Sequence, residues 1–351
     1  MPSTEDVVKA LSSVKDPELG RDVVSLRMIE GVTVDGGSVR FTLNLTTPAC
    51  PLRTRLEDAA REAVESIPGV TEVQMKTSSV VFATRDASQS VMLKGVKNII
   101  AVASGKGGVG KSTVSVNLAV ALAASGAKVG ILDADVYGPN IPHMMGVDQE
   151  AEVRDKLIIP PVAHGVRVAS LGFFYKDVTP VIWRGPLVAG AVKQLLTQVD
   201  WGELDYLICD LPPGTGDASL TLAQTVPLSG IVIVTTPQEA ALSIAAKALA
   251  MFRRLDVPIL GVVENMSYFV CPHCGERSHI FSSGGGRKIA SEQNVDFLGE
   301  IPLVMAVREQ SDAGVPIAVA RPGSPEADIF REFAFRVAGM VSIVAFSKMK
   351  K

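Results

Sequence analysis

The chain has 351 residues, 47% of them hydrophobic, which is enough for one large domain and a smaller one with packed cores. Its formal net charge of −3 argues against a surface built for general binding of nucleic acid or anionic lipid. Met1 to Asp6 show no basic stretch leading into an apolar core, and no apolar run reaches membrane-spanning length, so a cytoplasmic protein with no nucleic-acid or membrane partner is expected.

Residues 1–83 read as a small α+β domain. The pattern predicts a helix over 4–14, strands near 31–35 and 38–46 joined by an Asp35-Gly36-Gly37-Ser38 hairpin, a helix near 52–66 and a strand near 70–76. Cys50 falls after a strand and before a helix, where a thiolate is stabilised and suited to transient metal or cluster contact; a partly buried structural cysteine fits the same place. Residues 84–96 turn polar, with Arg85-Asp86-Ala87-Ser88-Gln89-Ser90, the composition of a linker. From 97 to 351, short apolar strands at 98–103, 127–133, 205–210, 230–236 and 257–263 alternate with helical segments. Such alternation predicts a parallel sheet covered on both faces, with ligands at the carboxyl ends of the strands.

The first of these strands runs into Gly105-Lys106-Gly107-Gly108-Val109-Gly110-Lys111-Ser112-Thr113, which satisfies G-x-x-x-x-G-K-[ST] between a strand and a helix. Glycines let backbone N–H groups turn toward phosphate oxygens, Lys111 reaches the β- and γ-phosphates, and the Ser112 hydroxyl suits Mg²⁺, so ATP with Mg²⁺ is the expected ligand. Lys106 adds a second cation that a single nucleotide does not need. It implies a strongly anionic ligand or a partner subunit's nucleotide, hence a homodimer. This resembles the deviant Walker A loop of the nitrogenase iron protein, MinD and ParA group.

Asp133 and Asp135 sit two residues apart where the next strand gives way to a loop, a spacing that points them the same way. Asp135 is expected to position the attacking water, with Asp133 in support; an aspartate at a strand end also caps turns. Asp210 ends another apolar strand, where it would hold the Mg²⁺ water shell, and Leu211 to Asp217 form a loop able to answer the γ-phosphate. Asp217 alternatively caps the next helix. Asn265, after the fifth strand, is expected at the adenine edge.

Cys209 lies in an apolar strand and reads as a buried small hydrophobe. Cys271-Pro272-His273-Cys274 places two thiolates near enough to share one ion, leaving a tetrahedral site half filled. His273 and His279 are candidate additional ligands, and a redox dithiol is an alternative. A second copy of the knuckle is simpler: two C-x-x-C pairs across a two-fold axis suit a bridging [4Fe–4S] cluster or zinc.

Together the loop Gly105–Thr113, the Asp133–Pro142 segment, Trp183-Arg184-Gly185-Pro186, Asp210–Asp217, Glu264–Ser267 and Cys271–Gly275 resemble the Mrp/ApbC family of P-loop iron–sulfur carrier ATPases. The resemblance implies slow ATP hydrolysis, a homodimer, a labile [4Fe–4S] cluster on Cys271 and Cys274, and its delivery to apo iron–sulfur proteins, with cluster-assembly scaffolds as further partners. The first domain resembles the small iron–sulfur assembly domain often fused to this ATPase, through Asp16-Pro17-Glu18-Leu19-Gly20 and Leu45-Thr46-Thr47-Pro48-Ala49-Cys50-Pro51. Departures from the family pattern are Arg27 in place of a glycine, Asn140 in place of a serine, and Ser282-Ser283 in a glycine-containing stretch. A ParA- or MinD-like partitioning or positioning ATPase is the alternative reading, invited by the apolar and basic C-terminus from Ile329 to Lys351.

Overall fold

The computed structural model describes residues 1–17, 19–84, 93, 95–135, 138–148, 152–173 and 185–348. Expectations that rest on Glu18, on most of the 84–96 linker, on Trp183-Arg184, on the Asp217 side chain and on the final residues 349–351 lie outside that description. Two compact units emerge, Met1–Phe82 together with the chain from Ala338 on, and Ala83–Val337.

In the first unit, Ser3 opens the Thr4–Leu11 helix: its Oγ accepts from the Asp6 N–H at 3.1 Å, and Asp6 Oδ2 accepts from the Ser3 N–H at 2.9 Å. The helix stops three residues short of the expected end. There the Ser12 and Ser13 hydroxyls donate to the carbonyls of Val8 and Ala10, and such local bonds compete with further helix. Strands Ile29–Asp35 and Ser38–Leu45 form the hairpin, its turn carried by Gly36 at φ +58°. Helix Arg53–Glu65 crosses over to strand Glu72–Ser79, which pairs parallel to Ser38–Leu45. Val7, Leu11, Phe41, Leu43, Leu56 and Val64 fill the core. The sequence pattern assigns the whole C-terminal helix, observed as Pro325–Lys348, to the second region. From Ala338 on it groups instead with the first unit, because Phe346 packs on that core and meets Phe82 at 5.0 Å between ring centroids.

The second unit is built on a nine-stranded sheet. Its path runs Val162–Ala163, Val166–Ser170, Val129–Asp133, Leu204–Asp210, Val96–Ser104, Gly230–Thr235, Ile259–Val270 and Arg277–Ser278, with Phe297–Leu303 also paired to Ile259–Val270. Val162–Ala163 and Arg277–Ser278 pair antiparallel and every other pairing is parallel. Val96–Ser104 lies at the centre, buried along nearly its whole length, as helices on both faces demand. Helix Lys111–Ala124 follows it and is buried on almost all sides from Val114 to Leu122, so its stability comes from packing more than from the propensity of its β-branched residues.

Arg27 sits at φ +55° and Ser282 at φ +96°, in the region L side chains rarely adopt. Both positions store strain that a glycine would not.

Candidate functional site

The loop between Ser104 and Lys111 is shaped by two close approaches. A Cβ on Gly105 would meet the Ile244 backbone carbon at 2.8 Å, and one on Gly110, which sits at φ +77°, would strike the Asn265 amide. Glycine is required at both points. Beyond the loop lies a cleft of about 580 Å³, the size of a small-molecule site. Lys106, Gly107, Gly108, Gly110, Ser112 and Thr113 line it.

Sheet register places Asp210 beside Asp133 and Asp133 beside Ser170, a polar row along the carboxyl edge of the sheet. Asp210 is 0% exposed and accepts three hydrogen bonds: Lys111 Nζ at 2.6 Å and Ser112 Oγ at 2.7 Å on Oδ2, and Ser115 Oγ at 2.6 Å on Oδ1. Lys111 is itself only 6% exposed and lies 3.8 Å from Asp135 Oδ2. The donor set of hydroxyl and carboxylate oxygens fits a hard cation such as Mg²⁺ at Ser112, with Asp210 behind it. Lys111→Ala is expected to abolish ATP binding and to cost about 3–5 kcal/mol of stability, since it leaves a buried carboxylate without its cation. Calorimetric titration with ATP and denaturant unfolding measure the two effects; a variant as stable as the wild type would show that Asp210 is neutralised by another group.

Asp133 and Asp135 do not face the cleft together. The Asp135 N–H bonds Asp133 Oδ1 at 3.1 Å, so the chain leaves β geometry after Asp133 and period-two spacing no longer applies. Asp135 lines the cleft, whereas Asp133 is buried behind it, holding the Ile141 N–H at 3.2 Å and the Ser170 hydroxyl at 3.2 Å. Burial above all, then the charge of Asp210, pushes the Asp133 carboxyl up to about 8, against the pull of Lys111 and of the backbone N–H groups of Ile141 and Asp135. Asp133 is therefore tied to the backbone and to Ser170 behind the cleft, while Asp135 faces it.

Asn265, expected at the base, donates its Nδ2 to the Val109 carbonyl at 2.8 Å and so braces the loop from behind, although it also lines the cleft. The far wall is Pro302, Leu303, Val304, Val307 and Arg308, on the Phe297–Leu303 strand end and the Met305–Asp312 helix. Sequence reasoning missed that wall, and with it Ser170 and Ser115. Only Ser115 carries a local signal, four residues after Lys111 and so on the same helix face. After Asp210 the chain is tied back to the loop, with the Gly214 N–H donating to the Ser104 carbonyl at 2.9 Å and the Ser104 hydroxyl donating to the Lys106 carbonyl at 2.9 Å.

The cysteine pair caps the long strand Ile259–Val270. Pairing of Val270 with Arg277 and bonds from Cys271 N–H to Glu276 O (3.0 Å) and Gly275 N–H to Cys271 O (2.8 Å) close a tight knuckle. The Cys274 and then the His273 backbone N–H hold the Cys271 thiol below its ordinary range, which favours the thiolate that binds metal. Cys274 is exposed, and no cluster of three or more His, Cys, Asp or Glu among the described residues adds a further ligand, so His273 and His279 do not complete a local site. Cys209 is fully buried, and burial pushes its thiol up to about 12, in keeping with a packing role. Cys50 lies half-buried at the first unit's core.

A model of the family described as NUBPL iron-transfer P-loop NTPase matches residues 95–338, and one described as iron-sulfur cluster assembly protein matches residues 4–75. The chain is 48% identical over 351 residues to an iron-sulfur cluster carrier protein of Synechocystis sp., covering 98% of this chain and 99% of that one. It is 48% identical over 257 residues to the iron-sulfur cluster transfer protein NUBPL of Dictyostelium discoideum, covering 72% and 80%. Among solved structures, a nucleotide-binding protein from Archaeoglobus fulgidus in complex with ADP is 43% identical, with a TM-score of 0.57, covering 65% of this chain and 89% of that one. The cell division ATPase MinD of Pyrococcus furiosus, 24% identical at a TM-score of 0.52 over 68% of this chain and 98% of that one, shares the fold. With a family model spanning most of the chain and a relative nearly half identical along its length, the protein belongs to the NUBPL iron-transfer P-loop NTPase family.

Proposed function

We propose that the protein is an iron–sulfur cluster carrier that works as a homodimer, binds Mg²⁺–ATP at the Gly105–Thr113 loop, hydrolyses it slowly, and passes a [4Fe–4S] cluster held by Cys271 and Cys274 of two chains to apo iron–sulfur proteins. One observation carries the reading: a single strand, Ile259–Val270, braces the nucleotide loop through Asn265 and ends in the thiol pair, so both sites share one rigid element. The full-length carrier relatives support it. Four cysteines without a disulfide fit a reducing compartment, the cytoplasm, and cluster-assembly scaffolds are the source of the cargo. The distant MinD likeness supports only the fold, so partitioning or positioning is not favoured.

In this reading the loop N–H groups and Lys111 hold the phosphates, and Lys106 reaches the partner's nucleotide. Mg²⁺, when bound, neutralises charge developing between the β- and γ-phosphates. Asp135, at the cleft and beside Lys111, orients the attacking water. Asp135→Asn is expected to bind Mg²⁺–ATP with unchanged affinity and to lose turnover by about 10²-fold or more; unchanged turnover in a steady-state phosphate-release assay would move the role elsewhere.

The function is tested by reconstituting the protein with ferrous iron and sulfide under anaerobic conditions. About four iron and four sulfide per two chains, and transfer to an apoprotein with an empty [4Fe–4S] site, are expected. Tightly bound zinc with no cluster uptake would overturn the carrier assignment.

A further inference from the structure

Of the three donors to Asp210, one has a duty elsewhere once a nucleotide enters: Lys111 is needed by the phosphates. The Ser112 oxygen offers a lone pair to Mg²⁺ while its proton can stay on Asp210. Ser115 has neither duty: it is fully buried, absent from the cleft lining, and four residues along the same helix face from Lys111. Its single hydroxyl proton has two acceptors in reach, the Lys111 carbonyl at 3.1 Å, which is the ordinary bond of a helical serine, and Asp210 Oδ1 at 2.6 Å. The shorter contact goes to the charged acceptor, as a charge-assisted bond should.

We propose that Ser115 is a positioning residue for the metal: it holds Asp210 by Oδ1 while Lys111 lets go of Oδ2, so that Oδ2 stays aimed at the Ser112 hydroxyl and at the Mg²⁺ shell. Ser115 keeps the carboxylate from turning when Lys111 moves to the phosphates. This rests on the reading that Asp210 supports Mg²⁺.

The test separates metal positioning from general damage by measuring affinity for a non-hydrolysable ATP analogue with Mg²⁺ and with EDTA, and Mn²⁺ occupancy of the analogue complex by electron paramagnetic resonance. In Ser115→Ala, affinity in EDTA should match the wild type, whereas the Mg²⁺ or Mn²⁺ concentration for half-saturation should rise about tenfold or more, the scale of one lost bond to a charged group. Ser115→Thr, which keeps the hydroxyl, should restore the wild-type metal dependence. Ser115→Cys, similar in size with a weak donor, should fall between and covers the case in which the alanine variant does not fold. Equal loss of affinity in EDTA and Mg²⁺, or wild-type metal dependence in Ser115→Ala or Ser115→Cys, would overturn the proposal. Asp210→Asn separates the two levels: if it keeps the full Mg²⁺ effect, the underlying reading of Asp210 fails; if it loses that effect while Ser115→Ala does not, only the role of Ser115 fails.

Discussion

Lys106→Ala is expected to bind ATP with little change and to lose hydrolysis by about 10³-fold or more, the scale of a cation supplied across a subunit boundary in phosphoryl transfer. The two lysines of the loop occupy different environments. Lys111 is buried and paired with Asp210 and Asp135. Lys106 is half-buried on the cleft, and among the described residues its ammonium forms no ion pair; only its carbonyl is held, by the Ser104 hydroxyl. In the proposed sandwich dimer such a cation would act on charge that develops in the transition state, hence on kcat rather than on ground-state binding. Lys106→Arg keeps the charge but not the compact ammonium and should recover only part of the rate. Steady-state hydrolysis and equilibrium ATP binding read the split; normal hydrolysis by Lys106→Ala would remove the argument for a nucleotide sandwich dimer.

Replacing either Cys271 or Cys274 by alanine is expected to abolish cluster uptake and transfer while leaving ATP binding in place. Each chain offers two thiolates in one knuckle, so one substitution in a homodimer removes two of four ligands and leaves a site that cannot close around a cluster. The loop that binds the nucleotide takes no ligand from the knuckle. Cys50→Ala should keep the bridging cluster and alter at most delivery to a client. Iron and sulfide content, the visible absorption of the reconstituted protein and a transfer assay measure these outcomes. Full transfer by Cys271→Ala would leave a nucleotide-binding protein whose cargo lies elsewhere.

The central strands were legible because a parallel strand buried on both faces is a short continuous apolar run, as in Tyr206-Leu207-Ile208-Cys209 and Ile231-Val232-Ile233-Val234. Val166–Ser170 was missed because its Arg167 breaks the run, and Phe297–Leu303 because it carries Gly299 and Pro302, both marks of a turn. The glycine loop and the C-x-x-C pair were readable for a different reason: backbone approach to phosphate and chelation by adjacent thiolates are local demands, met within a few residues.

Local demands are what the sequence by itself determined about this protein: the phosphate loop with its two lysines, the thiol pair, the α/β class and the small leading unit. Only the tertiary structure decided the different placements of Asp133 and Asp135, because they depend on a turn that buries one carboxylate beside Asp210 and leaves the other on the cleft. It likewise decided that Asn265 braces the loop, that Ser115 holds Asp210, and that the Met305–Asp312 helix walls the cleft. Those roles join residues tens to nearly two hundred positions apart, and sheet register, not spacing along the chain, brings such residues together.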